Sequence, residues 1–379
     1  DGVQYTVKNK LTTANDLSYS KDTSTGELTL IASNFEIRGQ EDVVHNLIIS
    51  GRRNNIYGGK LDDKVEESDS ENCYINYIYG GEGNDTIILR ATASVGYGEA
   101  GDDLLTAYTG SLNGGTGEDI FNIYAGYVVH HGGAGNDIFN IYGVSNKIYG
   151  DDGDDIFNII QGGSNTIDGG TGTNTVTGTV GTNTTINVIG ANSGSVSLTK
   201  GVEQVVNING IDYTMSTEST TATVIYSIND SGQITFSMSS NQAIIRGDLN
   251  KKHNVSIKAG ITFYGGNKGD IIDAHGATIY LGSGNNTLKA FGTTIYGSSG
   301  NDTVSITDGS FFYGGTGITN LTARSLNYIE SVSGTMNLSL YGDNNTVYGT
   351  GGNNTLVSNT RPNNFISGFG DADNAQALS

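Results

Sequence analysis

Five aspartates recur at near-constant spacing in the first half of the chain. From Gly80 the sequence GGEGNDTIIL is followed by YGEAGDDLL, NGGTGEDIFNI, HGGAGNDIFNI and YGDDGDDIFNI. This brings Asp85, Asp103, Asp119, Asp137 and Asp155 into register at intervals of 18, 16, 18 and 18 residues. A coil of two short strands and two tight bends consumes about that many residues, so strands stacked roughly 4.8 Å apart would set each carboxylate above the last. Such a column repels itself unless something positive neutralises it. The glycines before each Asp tolerate positive backbone angles and let carbonyl oxygens turn inward, and hard oxygen ligands in number suit calcium. The chemistry expected is cation binding coupled to folding.

The elements that would position these residues are thin repeated layers. Of 379 residues only 35% are hydrophobic, 57 are Gly and one is Pro, a composition that does not fill one thick core. With 39 acidic against 19 basic side chains the net charge is -20, which argues against nucleic acid or an anionic membrane as main partner and favours cations. Cys73 is the single cysteine, so neither a disulfide framework nor a thiolate metal cluster is built within the chain. No run approaches the roughly 18 apolar residues of a membrane span, and DGVQYTVKNK at the start lacks an apolar signal core.

Internal similarity divides the chain. DGVQYT at Asp1 to Thr6 returns as NGIDYT at Asn209 to Thr214, Ile37-Arg38-Gly39 as Ile245-Arg246-Gly247, and His45-Asn46 as His253-Asn254. Each half then runs into Tyr-Gly-Gly, at Tyr57 and Tyr264. The reading is two tandem modules. Module one, 1–208, has a β-rich lead-in (1–55), a repeat-bearing roll (56–178) and a β-rich connector (179–208); module two, 209–379, has a lead-in (209–262) and an Asn-rich, degenerate roll (263–379). No 3.6-residue apolar period is sustained, whereas Glu27-Leu-Thr-Leu-Ile and Thr223-Val-Ile-Tyr-Ser-Ile alternate as strands do. The expected fold is all-β, a parallel β-roll or β-helix solenoid.

GGEGNDTII, GGTGEDIFN and GGAGNDIFN resemble the nonapeptide GGxGxDxUx of the RTX, or hemolysin-type calcium-binding, repeat family, over about residues 77 to 175. The resemblance implies Asp85, Asp103, Asp119, Asp137 and Asp155 as side-chain calcium ligands. It adds backbone carbonyls of Gly81, Gly83, Gly115, Gly117, Gly133, Gly135 and Gly153. It also implies a noncatalytic structural or adhesive module of a large bacterial protein, secreted or on the cell surface. The chain departs from the family pattern by carrying the motif on one bend of each coil. The opposite bends, Val144-Ser-Asn-Lys and Gly163-Ser-Asn-Thr, keep Asn146 with Ile148 and Asn165 with Ile167. Several calcium ions are therefore expected along one edge only, with asparagine hydrogen bonds on the other. Asp63 either begins the column or stands outside it, because Lys60 and Leu61 break the glycine pattern and the acidic stretch Glu66 to Glu71 reads as looped out.

In module two the motif decays through Gly266-Asn-Lys-Gly-Asp270, Gly284-Asn-Asn286, Gly300-Asn-Asp302, Gly317-Ile-Thr-Asn320 and Gly342-Asp-Asn-Asn345. Asp270 and Asp302 are its remaining metal candidates. Ordinary turn chemistry is the competing explanation for Gly-Asn-Asp, and it weighs more in this half.

Strand alternation sends Ile87, Leu105, Phe121, Phe139 and Phe157 inward. Asn122, Asn140 and Asn158 face outward, as do Tyr57, Tyr79, Tyr97, Tyr149, Tyr264, Tyr280, Tyr296 and Tyr313. Such ladders would grip glycan rings or a cell-surface protein, or simply stack on themselves. Ile120, Ile138 and Ile156 form an apolar stripe for which the lead-in segments are candidate covers. His130 and His131 read as solvent-exposed turn residues without a zinc partner. Arg38, Arg90 and Arg246 are scattered and no acid and base pair stands out, so no enzyme is expected. The alternative is a carbohydrate-active β-helix, as a polysaccharide-binding, lyase or epimerase accessory module. Ice binding through Gly172-Thr-Asn-Thr-Val-Thr-Gly is a third option, weakened by irregular spacing.

Overall fold

In a computed structural model, residues 3–10, 17–69, 73–161, 163–179, 185–189, 191–331, 333–349, 352–359, 363–368 and 374–378 are described. They contain strands and turns and no helix. The chain divides into two compact units, Asp1–Gly194 and Ser195–Ser379. Each is a β-solenoid of parallel stacked coils with one strand in each of two sheets.

In the first unit one sheet runs through Asn55–Gly59, Tyr77–Glu82, Val95–Ala100, Ser111–Thr116, Val129–Ala134 and Lys147–Asp152. The second runs through Lys64–Glu67, Thr86–Leu89, Leu104–Ala107, Ile120–Ile123, Ile138–Ile141 and Ile156–Ile159. Pairing is parallel and residue for residue: Leu105 lies beside Ile87 and Phe121, and Phe139 beside Phe121 and Phe157. The alternation dictates this register, since a slip by one residue would turn the whole apolar set into water. Ile87, Leu105, Phe121, Phe139 and Phe157 are all fully buried. The three phenylalanines stack, with centroids 4.4 Å and 4.8 Å apart. Burying each such ring contributes about 1.5–3 kcal/mol.

The lead-in of each unit is two antiparallel pairings that start the sheets. Thr6–Asn9 pairs with Phe35–Arg38 and Ser18–Lys21 with Leu28–Ile31; in the second unit Ile211–Ser216 pairs with Ala243–Gly247 and Thr221–Ile228 with Ile234–Ser240. Because they extend the stack at its end, they do not cover the outer face. Ile120 and Ile156 stay about 40% exposed (40% and 39%), against the expectation that the lead-ins bury this stripe.

Two further expectations are corrected by side-chain placement. His130 is not a turn residue in water. It lies in Val129–Ala134, beside Ile148 in the inward column, fully buried, and its Nδ1 accepts the N–H of Leu112 at 3.3 Å. Burial pushes its imidazole down to about 4. Aligning VHHGG with KIYGD places His130 opposite Ile148 and is the signal that reveals it. The acidic stretch does not begin as a loop either, for Glu66 and Glu67 lie in a strand and Glu67 is buried. Its carboxylate is satisfied by Asn76, Ser94 and the N–H groups of Arg90 and Ala91, at 2.7–3.0 Å. Positions 70–72 lie outside the described residues.

Candidate metal-binding edge

Asp85, Asp103, Asp119, Asp137 and Asp155 each sit where the chain leaves a Gly-rich bend to start the next strand of the second sheet. The Oδ1 of each reaches to the preceding coil. The N–H of Asp85 donates to Asp103 at 2.7 Å, Asp103 to Asp119 at 2.8 Å, and Asp119 to Asp137 and Asp137 to Asp155 at 2.9 Å. The ladder begins earlier than the glycine pattern suggests, because Asp63 accepts from His45 at 2.6 Å and donates to Asp85 at 2.7 Å. It ends on Asn174, which accepts from Asp155 at 2.8 Å. Asp63 through Asp155 are six residues, all at most 2% exposed.

The second oxygen of each is different. Oδ2 of Asp63, Asp85, Asp103, Asp119, Asp137 and Asp155 is buried and accepts no hydrogen bond. A methyl group placed on Gly114 would lie 2.0 Å from Oδ2 of Asp119 and 2.5 Å from the carbonyl oxygen of Gly132 in the next coil. The same convergence recurs at Gly98 with Asp103 and the Gly114 carbonyl, at Gly132 with Asp137 and the Gly150 carbonyl, and at Gly80 with Asp85 and the Gly98 carbonyl. An acceptor of one coil thus faces an acceptor of the next with no donor between them. These carbonyls, of Gly98, Gly114, Gly132 and Gly150, were not among the ligands that the resemblance implies.

The glycines that the sequence did single out serve the same edge. Gly81, Gly83, Gly115, Gly117, Gly133, Gly135 and Gly153 all have φ between 107° and 152°. The carbonyl oxygen of Gly117 lies against the Cα of Gly135, where a methyl would meet it at 1.8 Å, and that of Gly135 against Gly153 at 1.9 Å. Where a coil lacks glycine the backbone keeps the left-handed conformation anyway, with φ of 78° at Glu99 and 70° at Asp151. Each such residue costs roughly 1–2 kcal/mol, so the stacked bend is imposed by the fold.

Electrostatics follow from this geometry. Burial, with other carboxylates adding to it, pushes Asp85 and Asp137 up to about 8, Asp103 to about 7, and Asp119 and Asp155 to about 6. The backbone N–H that each Oδ1 accepts opposes the shift without cancelling it.

The opposite edge carries the control. Asn54, Asn146 and Asn165 also accept an N–H from the preceding coil, at 2.8–3.2 Å, and each turns its Nδ2 to a backbone carbonyl, of Ala32, Ala125 and Gly143, at 2.8–3.0 Å. An amide supplies the donor that a carboxylate lacks. At these coils that edge is held by asparagine, as the sequence implies, and at Ser94 by a serine hydroxyl, which accepts the N–H of Asn76 at 3.0 Å.

The second unit resolves the same column otherwise. Asn286 accepts from Asp270 at 2.8 Å and donates to the carbonyls of Gly282 and Gly284 at 3.1 and 2.8 Å, the counterparts of Gly115 and Gly117. Both oxygens of Asp270 are engaged: Oδ1 by the N–H and Nδ1 of His253, each at 2.9 Å, and Oδ2 by the N–H of Gly266 at 2.8 Å. Burial raises its carboxyl, yet the hydrogen bonds from His253 outweigh burial and hold it below the usual range. Asp302 accepts from Asn286 on Oδ1 and from Ser298 on Oδ2, the latter at 2.9 Å. The column then passes to Thr319, not Asn320, which faces outward beside Asn337. Asn345 lies on the other edge, accepting from Asn327 at 3.0 Å. Counting from the nearest glycine misplaces both, because the later coils lengthen their strands.

Outside, Tyr57, Tyr79 and Tyr97 stack at 4.7 and 4.9 Å, and Tyr264, Tyr280, Tyr296 and Tyr313 at 4.5, 4.5 and 5.1 Å. Tyr149 stacks on His131. Asn122, Asn140 and Asn158 form an amide ladder with links of 3.1 Å. The Arg38 guanidinium covers the Tyr57 ring at 3.7 Å, and Arg246 covers Tyr264 at 5.3 Å.

The six-rung column offers only oxygen, from carboxylate and carbonyl groups, and in a site poor in donors. That donor set suits a hard divalent cation better than zinc or copper. Among the described residues no three His, Cys, Asp or Glu side chains gather at one point, so an ion here would draw most of its oxygens from the backbone. No helix among the described residues is long and apolar enough to cross a membrane. Compared with models of known protein families and with curated proteins, the chain matches none.

Proposed function

We propose that the first unit is a calcium-binding β-roll of the RTX kind, and that the chain is a noncatalytic structural or adhesive part of a larger secreted or surface bacterial protein. The observation that carries this is the run of six buried Oδ2 atoms, each without a donor and each converging with a carbonyl of the next coil. A cation between coils would supply the missing positive charge at every rung. The Asp carboxylates, with carbonyls of Gly98, Gly114, Gly132 and Gly150 and of the positive-φ glycines, would hold it. Calcium at millimolar levels outside the cell would then close the coils, and its scarcity inside would leave the unit loosely folded for export.

In the second unit the rungs are satisfied by His253, Asn286 and Ser298, which supports a metal-poor solenoid in which Asp302 is the weaker candidate. The tyrosine ladders lend the glycan reading little, since stacked rings spend their faces on one another and on arginine.

The test is calorimetric titration of chelator-treated protein with calcium, followed in parallel by far-ultraviolet circular dichroism. Several bound ions with a gain in β signal are expected. The proposal is falsified if calcium neither binds nor changes the spectrum at millimolar concentration.

A further inference from the structure

The two units carry the same lead-in strands with opposite exposure. Thr6 and Val7 pair with Arg38 and Ile37, and Thr214 and Met215 pair with Arg246 and Ile245 in the same antiparallel register. Tyr19 lies opposite Leu30, and Tyr226 opposite Phe236. Yet Val7 is 40% exposed, Leu17 37% and Tyr19 74%, whereas Met215, Val224 and Tyr226 are 0%, 0% and 1%.

The second unit has, beside these strands, the stretch 195–208. Gln204–Ile208 adds an antiparallel strand along the outer edge of Ile211–Ser216, from Gln204 opposite Met215 to Ile208 opposite Ile211. Val196, Leu198, Val206 and Ile208 are at most 3% exposed. In the first unit, Thr6 and Val7 have no second strand partner among the described residues, and a cavity of about 590 Å³ opens there, lined by Val3, Tyr5, Val7, Leu17, Tyr19 and Leu28. An apolar pocket beside an open strand edge is what β-strand addition requires, with the edge giving hydrogen bonds and the pocket giving register.

We propose that this end of the first unit is a docking site for a β segment of the 195–208 type, the connector of another module of the same kind. An alternating strand ending in an apolar residue pairs with Val3 to Val7 as Gln204–Ile208 pairs with its own unit, and its paired apolar partner fills the cavity over Leu17 and Tyr19. Arrays of such modules would then join end to end, each connector closing the unit that follows. This rests on the duplication and on burial alone, and is independent of calcium.

The experiment adds a second copy of residues 195–208 directly before Asp1 of the full chain, in the spacing that Ile208 has to Asn209, and compares it with the original chain at saturating calcium. Amide hydrogen exchange at Thr6 and Val7 is expected to slow at least tenfold, and nitration of Tyr19 to fall at least fivefold. The same addition with Asp at the position copying Val206 should give neither effect. Unchanged exchange and nitration overturn the proposal, and so does equal protection by the Asp-bearing segment. If the original chain already protects these positions as its concentration rises, another surface of a second copy is the occupant, since the apolar side of 195–208 is buried in every copy, and the proposal is again overturned.

Discussion

The backbone N–H of Asp119 donates to Oδ1 of Asp137 at 2.9 Å, while Oδ2 of Asp137 is buried and accepts nothing. One carboxylate is thus half a structural cap and half an open valence. The cap half is shared with asparagine on both the opposite edge and the second unit, and with Ser94 and Ser310, so it calls for a short side chain with an accepting oxygen. The open half separates aspartate from asparagine, because an amide would donate where the carboxylate cannot.

Replacing Asp119 or Asp137 by Asn therefore has opposite effects with and without metal. Asn keeps the bond to the preceding coil and adds a donor toward the carbonyls, as Asn286 does. In chelator the variant should be more stable by about 1–2 kcal/mol, and in calcium it should lose part of the stabilisation that the original shows. Paired thermal melts check both signs; a variant destabilised in chelator would contradict the account.

The pH dependence follows from the raised carboxyls. A folded carboxyl pushed above its unfolded value of 3.8 binds its proton more readily in the native state, so its contribution is full below about pH 4 and is lost as pH rises through the folded value. For Asp119 and Asp155 that loss runs from about 4 and is complete near 6, for Asp103 near 7 and for Asp85 and Asp137 near 8. Calcium-free protein should need less urea to unfold at pH 8 than at pH 5. Calcium addition at pH 7 should release protons, visible as calorimetric heats that vary with the ionisation enthalpy of the buffer.

Glycine at the column is required by space. A methyl on Gly114 would lie 2.0 Å from a carboxylate oxygen and 2.5 Å from a backbone carbonyl, whereas one on Gly309 meets nothing within 4 Å. Gly114→Ala should destabilise by more than about 3 kcal/mol and abolish the calcium response. Gly309→Ala, at φ of 77°, should cost only about 1 kcal/mol of backbone strain. Equal losses in the two variants would show that the spacing between coils yields freely at the column.

The solenoid was legible because its period is: identical intervals force identical registers, and the alternation after each Asp decides which side chains face inward. The rungs Asp85 to Asp155 follow from the same counting. Asp63 was hidden by Lys60 and Leu61, since the bond that places it in the ladder comes from His45, a partner that no glycine motif announces. The quiet state of Asp270 was hidden likewise, because His253 closes it through a ring nitrogen whose direction depends on packing. His130 was misplaced for a simpler reason: a polar residue in an inward column looks like a bend until its neighbours Leu112 and Ile148 are aligned with it.

His253 and His45 occupy the same place yet act differently, and this yields a last prediction. His45 turns its Nδ1 to the Tyr5 hydroxyl at 3.0 Å and its Nε2 to the carbonyl of Gln40 at 2.9 Å, leaving Oδ2 of Asp63 open. His253 instead points Nδ1 at Asp270, whose other oxygen is taken by Gly266. His253→Phe should leave Asp270 buried with one donor fewer and cost about 2–3 kcal/mol, with no change in calcium stoichiometry. Asp270→Asn in that background should recover part of the loss, because an amide needs no counter-charge. A gain of one bound calcium in the His253→Phe variant would instead mean that the histidine, and not the shape of the bend, keeps metal out of the second unit. Calorimetric stoichiometry of the two variants, beside their urea midpoints, separates these outcomes.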